Sequence, residues 1–263
     1  MIELERGCYL GVNKRDYNIN GLLVRETEYL SKVYEGWHAH SNAHITFILA
    51  GGNREQRKKS ESVASPGKVI FYDSGEVHRN FNTALPSKNI NLEIESNLLE
   101  RYDIKMTSIG AIIHANPDTK FLLLKMYNEM RQSDLYSTES IQMLFLNLVT
   151  TVSHCLNKQQ PSWIKIIHEQ LNDRWAEKIT LNDLARVAHV HPVTISKHFP
   201  KFFSCTLGEY MRKLKVERAL SMLKSTSLSL TEIAYTCGFA DQSHFTHTFK
   251  QMTGFLPAQY RKI

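Results

Sequence analysis

One short pattern occurs twice in the second half of this chain. Ile179-Thr180-Leu181-Asn182-Asp183-Leu184-Ala185 matches Leu228-Ser229-Leu230-Thr231-Glu232-Ile233-Ala234. Each copy places a hydroxyl residue before an apolar helical pattern and an acid three positions later, Thr180 with Asp183 and Ser229 with Glu232. That is a capping box: the hydroxyl accepts from an orphan backbone N–H, and the acid reaches back to the cap. The acid also faces the positive end of the helix. The offset is 49 from Thr180 to Ser229 and 50 from Phe199 to Phe249, where Ile195-x-x-x-Phe199 matches Phe245-x-x-x-Phe249. The one-residue slip falls in a turn between two helices, where an insertion is cheapest.

Each copy therefore reads as a short helix, a tight turn and a longer helix. In the first, Leu181, Leu184, Ala185 and Ala188 face inward, His189-Val190-His191 is the turn, and Pro192 begins the next helix. In the second, Gly238 suits a positive φ after a helix, Phe239 plugs the turn and Asp241 can cap the longer helix. This is helix-turn-helix geometry, in which the second helix enters a DNA major groove and reads bases near its start. The base-reading candidates are His191, Val193, Thr194, Ser196 and Lys197 in the first unit. In the second they are Gln242, Ser243, Thr246 and His247. Gln can bond adenine, Lys can reach guanine, and Thr and Val can touch a thymine methyl. A connecting helix from about Leu207 to Leu223 spans ~25 Å at ~1.5 Å per residue. Its Arg212, Lys213, Lys215 and Arg218 are expected at the DNA backbone rather than at bases.

Charge agrees with that partner. The 263 residues hold 32 Lys+Arg and 26 Asp+Glu, a net of +6, and residues 1–160 are balanced at 18 of each. The whole excess lies in residues 161–263, so double-stranded DNA is the first partner to consider. Hydrophobic residues make up 42%, enough for a core and too many for a disordered chain. No apolar run approaches the ~20 residues needed to span a bilayer, and the polar start is not that of a signal peptide. A cytoplasmic protein with no membrane partner is expected. The cysteines Cys8, Cys155, Cys205 and Cys237 are far apart, which argues against a zinc finger or a disulfide framework.

The stretch from Trp163 to Lys262 resembles the DNA-binding domain of the AraC/XylS family of bacterial transcription regulators. The resemblance is carried by Ile233-Ala234-x-x-x-Gly238-Phe239-x-Asp241-x-Ser243-x-Phe245-x-x-x-Phe249-Lys250-x-x-x-Gly254-x-x-Pro257-x-x-Tyr260-Arg261. It implies two helix-turn-helix units on one connecting helix, with the transcription machinery as a partner and activation as the habitual outcome. Two positions depart from the family pattern. Ser204 stands where a Gly is usual, and Pro200 follows Phe199 where a Lys is usual. Proline removes a helical hydrogen bond, so the first recognition helix is expected to kink or stop near Phe199.

The N-terminal region, to about Ile113, reads as β, with short apolar runs such as Ile45-Thr46-Phe47-Ile48-Leu49 between turn clusters. A helix starts near Asn116-Pro117-Asp118, and a second runs from about Thr138 to Leu156. Four histidines stand out in the β region. His38 and His40 share a strand face, His44 follows, and His78 comes after the turn Asp73-Ser74-Gly75-Glu76-Val77. This region resembles a cupin barrel, matching in His38-x-His40 and Gly75-x-x-His78, with His44 near the place of the acid. A small-molecule effector pocket is expected in the barrel, lined by Trp37, His38, His40, His44, Phe47, Tyr72 and His78. No cofactor is expected. The alternative is a divalent metal on His38, His40, His44 and His78, in a metal sensor or a cupin metal-dependent enzyme. A methyl-accepting repair protein would need an activated cysteine, which the isolated or apolar-flanked cysteines do not offer.

The expected whole is an α+β chain in three segments. Residues 1–157 form a cupin-like β-barrel with two helices that binds effector and forms a homodimer. Residues 158–162 are a linker, and residues 163–263 are an all-α domain with two helix-turn-helix units.

Overall fold

The computed structural model describes residues 1–150 and 161–263. The chain divides into two compact units, one on each side of the intervening stretch. The expected end of the second helix at Leu156 and most of the 158–162 linker lie outside the described residues.

The first unit holds ten strands. They are β1 (Ile2–Leu4), β2 (Val12–Ile19), β3 (Leu22–Tyr29), β4 (His38–His40), β5 (Ala43–Ala50), β6 (Asn53–Arg57), β7 (Ser60–Ala64), β8 (Val69–Tyr72), β9 (His78–Phe81) and β10 (Ser87–Ile94). They form two five-stranded sheets, ordered β1-β4-β9-β6-β7 and β2-β3-β10-β5-β8. The pleat sorts the side chains of the second sheet. In β10, Asn89, Asn91 and Glu93 alternate with the fully buried Ile90, Leu92 and Ile94. In β5, His44, Thr46 and Ile48 alternate with Ile45, Phe47 and Leu49. Both faces of these strands are covered, so alternation here separates a polar interior from an apolar layer rather than core from solvent.

Four helices come after the strands: α1 (Ser96–Glu100), α2 (Met106–Ala115), α3 (Thr119–Gln132) and α4 (Ser137–Thr150). The sequence pattern predicts a pair of helices in this unit and β structure up to Ile113; α1 and α2 correct it. The β-branched Ile109, Ile112 and Ile113 favour a strand locally, yet at helical spacing they bury one face against β8 and α4. Tertiary burial outweighs a propensity difference of a few tenths of a kcal/mol.

The second unit is all-helical: α5 (Ser162–Asp173), α6 (Leu181–Ala188), α7 (Pro192–Phe203), α8 (Leu207–Ser225), α9 (Leu230–Thr236), α10 (Gln242–Thr253) and α11 (Pro257–Arg261). Its first core gathers Ile164, Ile167, Leu171, Leu184, Ile195, Phe199, Tyr210 and Leu214. The later half of α8 buries Val216, Ala219, Leu220 and Leu223, and α9 to α11 pack against it. One helix thus serves both repeats, with its first turns in one core and its last turns against the other.

Candidate nucleic-acid interface and histidine cavity

Both helix-turn-helix units are built by local chemistry. Thr180 Oγ1 accepts from Asp183 N (3.2 Å) while the Asp183 carboxylate accepts from Thr180 N (3.0 Å). Ser229 and Glu232 form the same box at 3.2 and 2.7 Å. The turns are closed by equivalent bonds, Val190 N to Ala185 O (3.2 Å) and Phe239 N to Ala234 O (2.9 Å). Each longer helix then starts on a side-chain cap. His191 Nδ1 accepts from Val193 N (3.3 Å), and Asp241 accepts from His244 N (2.7 Å).

Both longer helices bury one apolar stripe and turn a polar face outward. α7 buries Ile195, Phe199 and Phe203; α10 buries Phe245, Thr248 and Phe249. His191, Val193, Ser196, Lys197, Gln242, Ser243 and His247 are exposed, and Thr194 and Thr246 are half-buried. Val193 is 62% exposed, a poor use of an apolar residue in a plain bundle and a good one opposite a thymine methyl. Gln242 arrives partly engaged: its Oε1 accepts from Thr231 Oγ1 at 2.5 Å, leaving its amide N–H groups to donate.

Pro200 does not stop α7. The helix runs through it to Phe203, because Pro200 and Ser196 sit on the exposed side, where the carbonyl left without an N–H partner faces water. Ser204 takes the left-handed conformation (φ 55°) that Gly254 adopts after α10, and its N–H bonds Pro200 O at 2.9 Å. The cations expected at the DNA backbone divide. Arg212 is exposed on α8 and Lys213 is half-buried. Lys215 is committed inside the domain: its Nζ donates to Gly238 O at 2.6 Å, and burial lowers its pKa. Arg218 lies over the Trp175 ring at 5.7 Å. These two strap α8 to neighbouring turns. Gly238 could not be replaced there, since at φ 70° a Cβ would lie 2.5 Å from Ala176 O.

In the first unit, His38 on β4 pairs directly with His78 on β9, and His40 lies further along β4 on the same face. One ligand nitrogen from each of the three lies within 4.8 Å of the others, and all three are buried. Two rings have a set tautomer. His38 Nδ1–H donates to Gly36 O (3.1 Å) and His78 Nδ1–H to Glu76 O (2.9 Å), so each presents the Nε2 lone pair. Burial lowers all four pKa values, His40 to about 3, His78 to about 4, and His38 and His44 likewise downward. They are neutral at pH 7. His44, on β5, is outside the converging trio; it stacks on Tyr72 at 4.7 Å. Three neutral imidazoles that each place a ring nitrogen within 4.8 Å of the others fit a transition-metal ion.

The cavity they border measures about 30 Å³ and is also lined by Tyr9, Tyr29, Thr46, Asn53, Tyr72, Asn80, Asn89 and Asn91. Organic ligands fill pockets of roughly 300–1,000 Å³; this space suits an ion and a water or two. Phe47 and Trp37, expected in the lining, stand outside it. Phe47 stands three positions from His44 and so lies on the opposite strand face, while Trp37 has opposite parity to His38 and packs under Arg79 at 5.3 Å. Sequence reasoning misses the amide residues, although the alternation Asn89-Ile90-Asn91-Leu92 carries their signal. It misses Tyr9 too: Glu93 anchors its segment, accepting from Gly7 N at 2.7 Å, which no local pattern announces. The thiol of Cys237 is pushed up to about 11 by burial, the opposite of an activated nucleophile.

Two capped helix pairs on one shared connector define a double helix-turn-helix domain. A helix-turn-helix domain model matches residues 184–263. The chain is similar to the bifunctional transcriptional activator/DNA repair enzyme AdaA of Bacillus subtilis, 32% identical over 109 residues, covering 41% of this chain and 52% of AdaA. It is similar to the transcriptional activator RhaR of Mannheimia succiniciproducens at 22% over 238 residues, 85% of this chain and 86% of RhaR. Among solved structures, ToxT of Vibrio cholerae aligns at 13% identity and a TM-score of 0.39, covering 92% of this chain and 98% of ToxT. The chain spans about half the length of AdaA and of an uncharacterized Escherichia coli regulator, YijO, that it also matches. Among the described residues, no helix is long and apolar enough to cross a membrane.

Proposed function

We propose that this chain is a cytoplasmic, sequence-specific transcription regulator, an activator acting on the transcription machinery, whose N-terminal unit receives an effector. The observation that carries the reading is the pair α7 and α10: each is side-chain-capped at its start, buried along one stripe and polar on the other, and each leans on the same α8. Effector binding shifts the population of DNA-competent arrangements, in proportion to its differential affinity for them. The likeness to named activators supports the sign of regulation.

The test is selection of bound fragments from a genomic DNA pool, then affinity measurements on the selected site and on random DNA. Thr246→Ala and Gln242→Ala should each weaken the selected site by ~1–3 kcal/mol and leave random DNA nearly unchanged. Equal losses on both DNAs would remove the base-reading role.

A further inference from the structure

We propose that the histidine cavity of the N-terminal unit binds one divalent ion of a late first-row transition metal through His38, His40 and His78, and that this ion is the regulator's effector. The proposal rests on the regulator reading above and names the class of its ligand.

The cavity is rich in acceptors. His38 and His78 have spent their Nδ1–H groups on carbonyls, which leaves each an Nε2 lone pair to offer, with His40 beside them. Asn53, Asn80 and Asn89 line the same space, and the side-chain oxygen of each is buried with no hydrogen-bond partner among the described residues. Buried acceptors without donors are costly. An anion or an apolar molecule would leave them so. A cation satisfies the imidazoles directly, and water on its open positions donates to the amide oxygens.

Size and ligand type narrow the class. About 30 Å³ admits an ion with its water and excludes an organic effector. None of the lining residues carries a carboxylate, the ligand on which Mg²⁺ and Ca²⁺ depend. Imidazole instead suits Zn²⁺, Ni²⁺, Cu²⁺ and Co²⁺. Metal–nitrogen bonds of about 2.0–2.1 Å set tetrahedral nitrogens about 3.4 Å apart, and the three ring nitrogens already lie within 4.8 Å of one another.

The full chain, stripped with chelator and dialysed, should be titrated with Co²⁺ while visible absorption is monitored, then with Zn²⁺ in competition. One Co²⁺ per chain is expected, with imidazole-ligand bands, displacement by Zn²⁺ and none by excess Mg²⁺. His40→Ala and His78→Gln should each weaken binding more than about a hundredfold, while His114→Ala, outside the cavity, leaves it unchanged. Circular dichroism of each variant separates lost ligands from lost fold. Affinity for the selected DNA site should change at least tenfold between stripped and loaded protein, and not in His78→Gln. Failure of the wild-type chain to bind stoichiometrically, or binding retained in both cavity variants, overturns the site. Metal binding with unchanged DNA affinity overturns its role as effector. Selective DNA binding by a chain that takes up no metal would leave the regulator standing and the metal refuted, whereas stoichiometric metal binding by a chain that selects no DNA would do the reverse.

Discussion

The chain has twelve histidines, and their surroundings give them different duties. His191 is a helix cap, an imidazole doing what Asp241 does in the second repeat. His189 sits at φ 52°, where the second repeat uses Gly238 at 70°. His38, His40, His44 and His78 are held neutral by burial. That burial has a consequence for stability. The unfolded chain protonates these rings near pH 6.5, and the folded unit refuses the proton down to about pH 4 at His78 and about 3 at His40. Between those limits the unfolded state binds more protons, so stability falls as pH falls, by up to about 1.4 kcal/mol per pH unit for each histidine. The melting temperature should therefore decline steadily from pH 7 to pH 4.5. Replacing His44 by Phe, which keeps the stack on Tyr72, should flatten that decline, and an unaltered slope would show that other groups dominate.

At the level of elements, α7 shows how far a local rule can be bent. A proline in its interior is tolerated because its ring and the abandoned carbonyl are on the wet side. The left-handed Ser204 is a different matter, since a side chain there carries a steric cost of roughly 1–2 kcal/mol, against which glycine's extra flexibility counts about 0.5–1. Ser204→Gly is expected to raise stability by up to about 1 kcal/mol in denaturant titration, and a loss would mean that the serine's own contacts outweigh its strain. The capping boxes carry the opposite sign: Thr180→Ala and Ser229→Ala should each destabilise the domain by about 1 kcal/mol. α2 shows the converse of α7. Its isoleucines look like a strand in isolation and become a helix only because β8 and α4 offer a face to cover.

For the whole molecule, the net positive charge lies in residues 161–263, the part that carries α7 and α10. Loss of a phosphate-facing cation should act on all DNA alike. Arg212→Ala is expected to weaken specific and random binding together and to reduce the salt slope by about 1; Lys215→Met, in contrast, should disturb folding through the lost bond to Gly238. Homodimerisation through the first unit is expected from the sequence, and exposed apolar residues there offer a test. Leu135 (83% exposed) and Tyr136 (69%) lie in the turn before α4, and Met143 (66%) lies midway along it. Leu135→Glu with Met143→Glu should leave a monomer in sedimentation velocity if that face joins two copies, and an unchanged particle mass would place the contact elsewhere.

The repeat, its caps and the apolar stripes of α7 and α10 were legible in the sequence, as was the grouping of His38, His40 and His78, to which the sequence also added His44. They depend on spacings of two to four residues, which backbone geometry converts directly into shared faces. Tertiary structure alone decided the rest. It turned residues 96–100 and 106–115 into helices, tied Lys215 to Gly238 O and brought Tyr9 and the β10 amides to the histidines. It also shrank the expected pocket to the size of a hydrated ion. Those outcomes turn on which distant surfaces need covering and which buried acceptors lack donors, quantities that exist only once the chain has closed on itself.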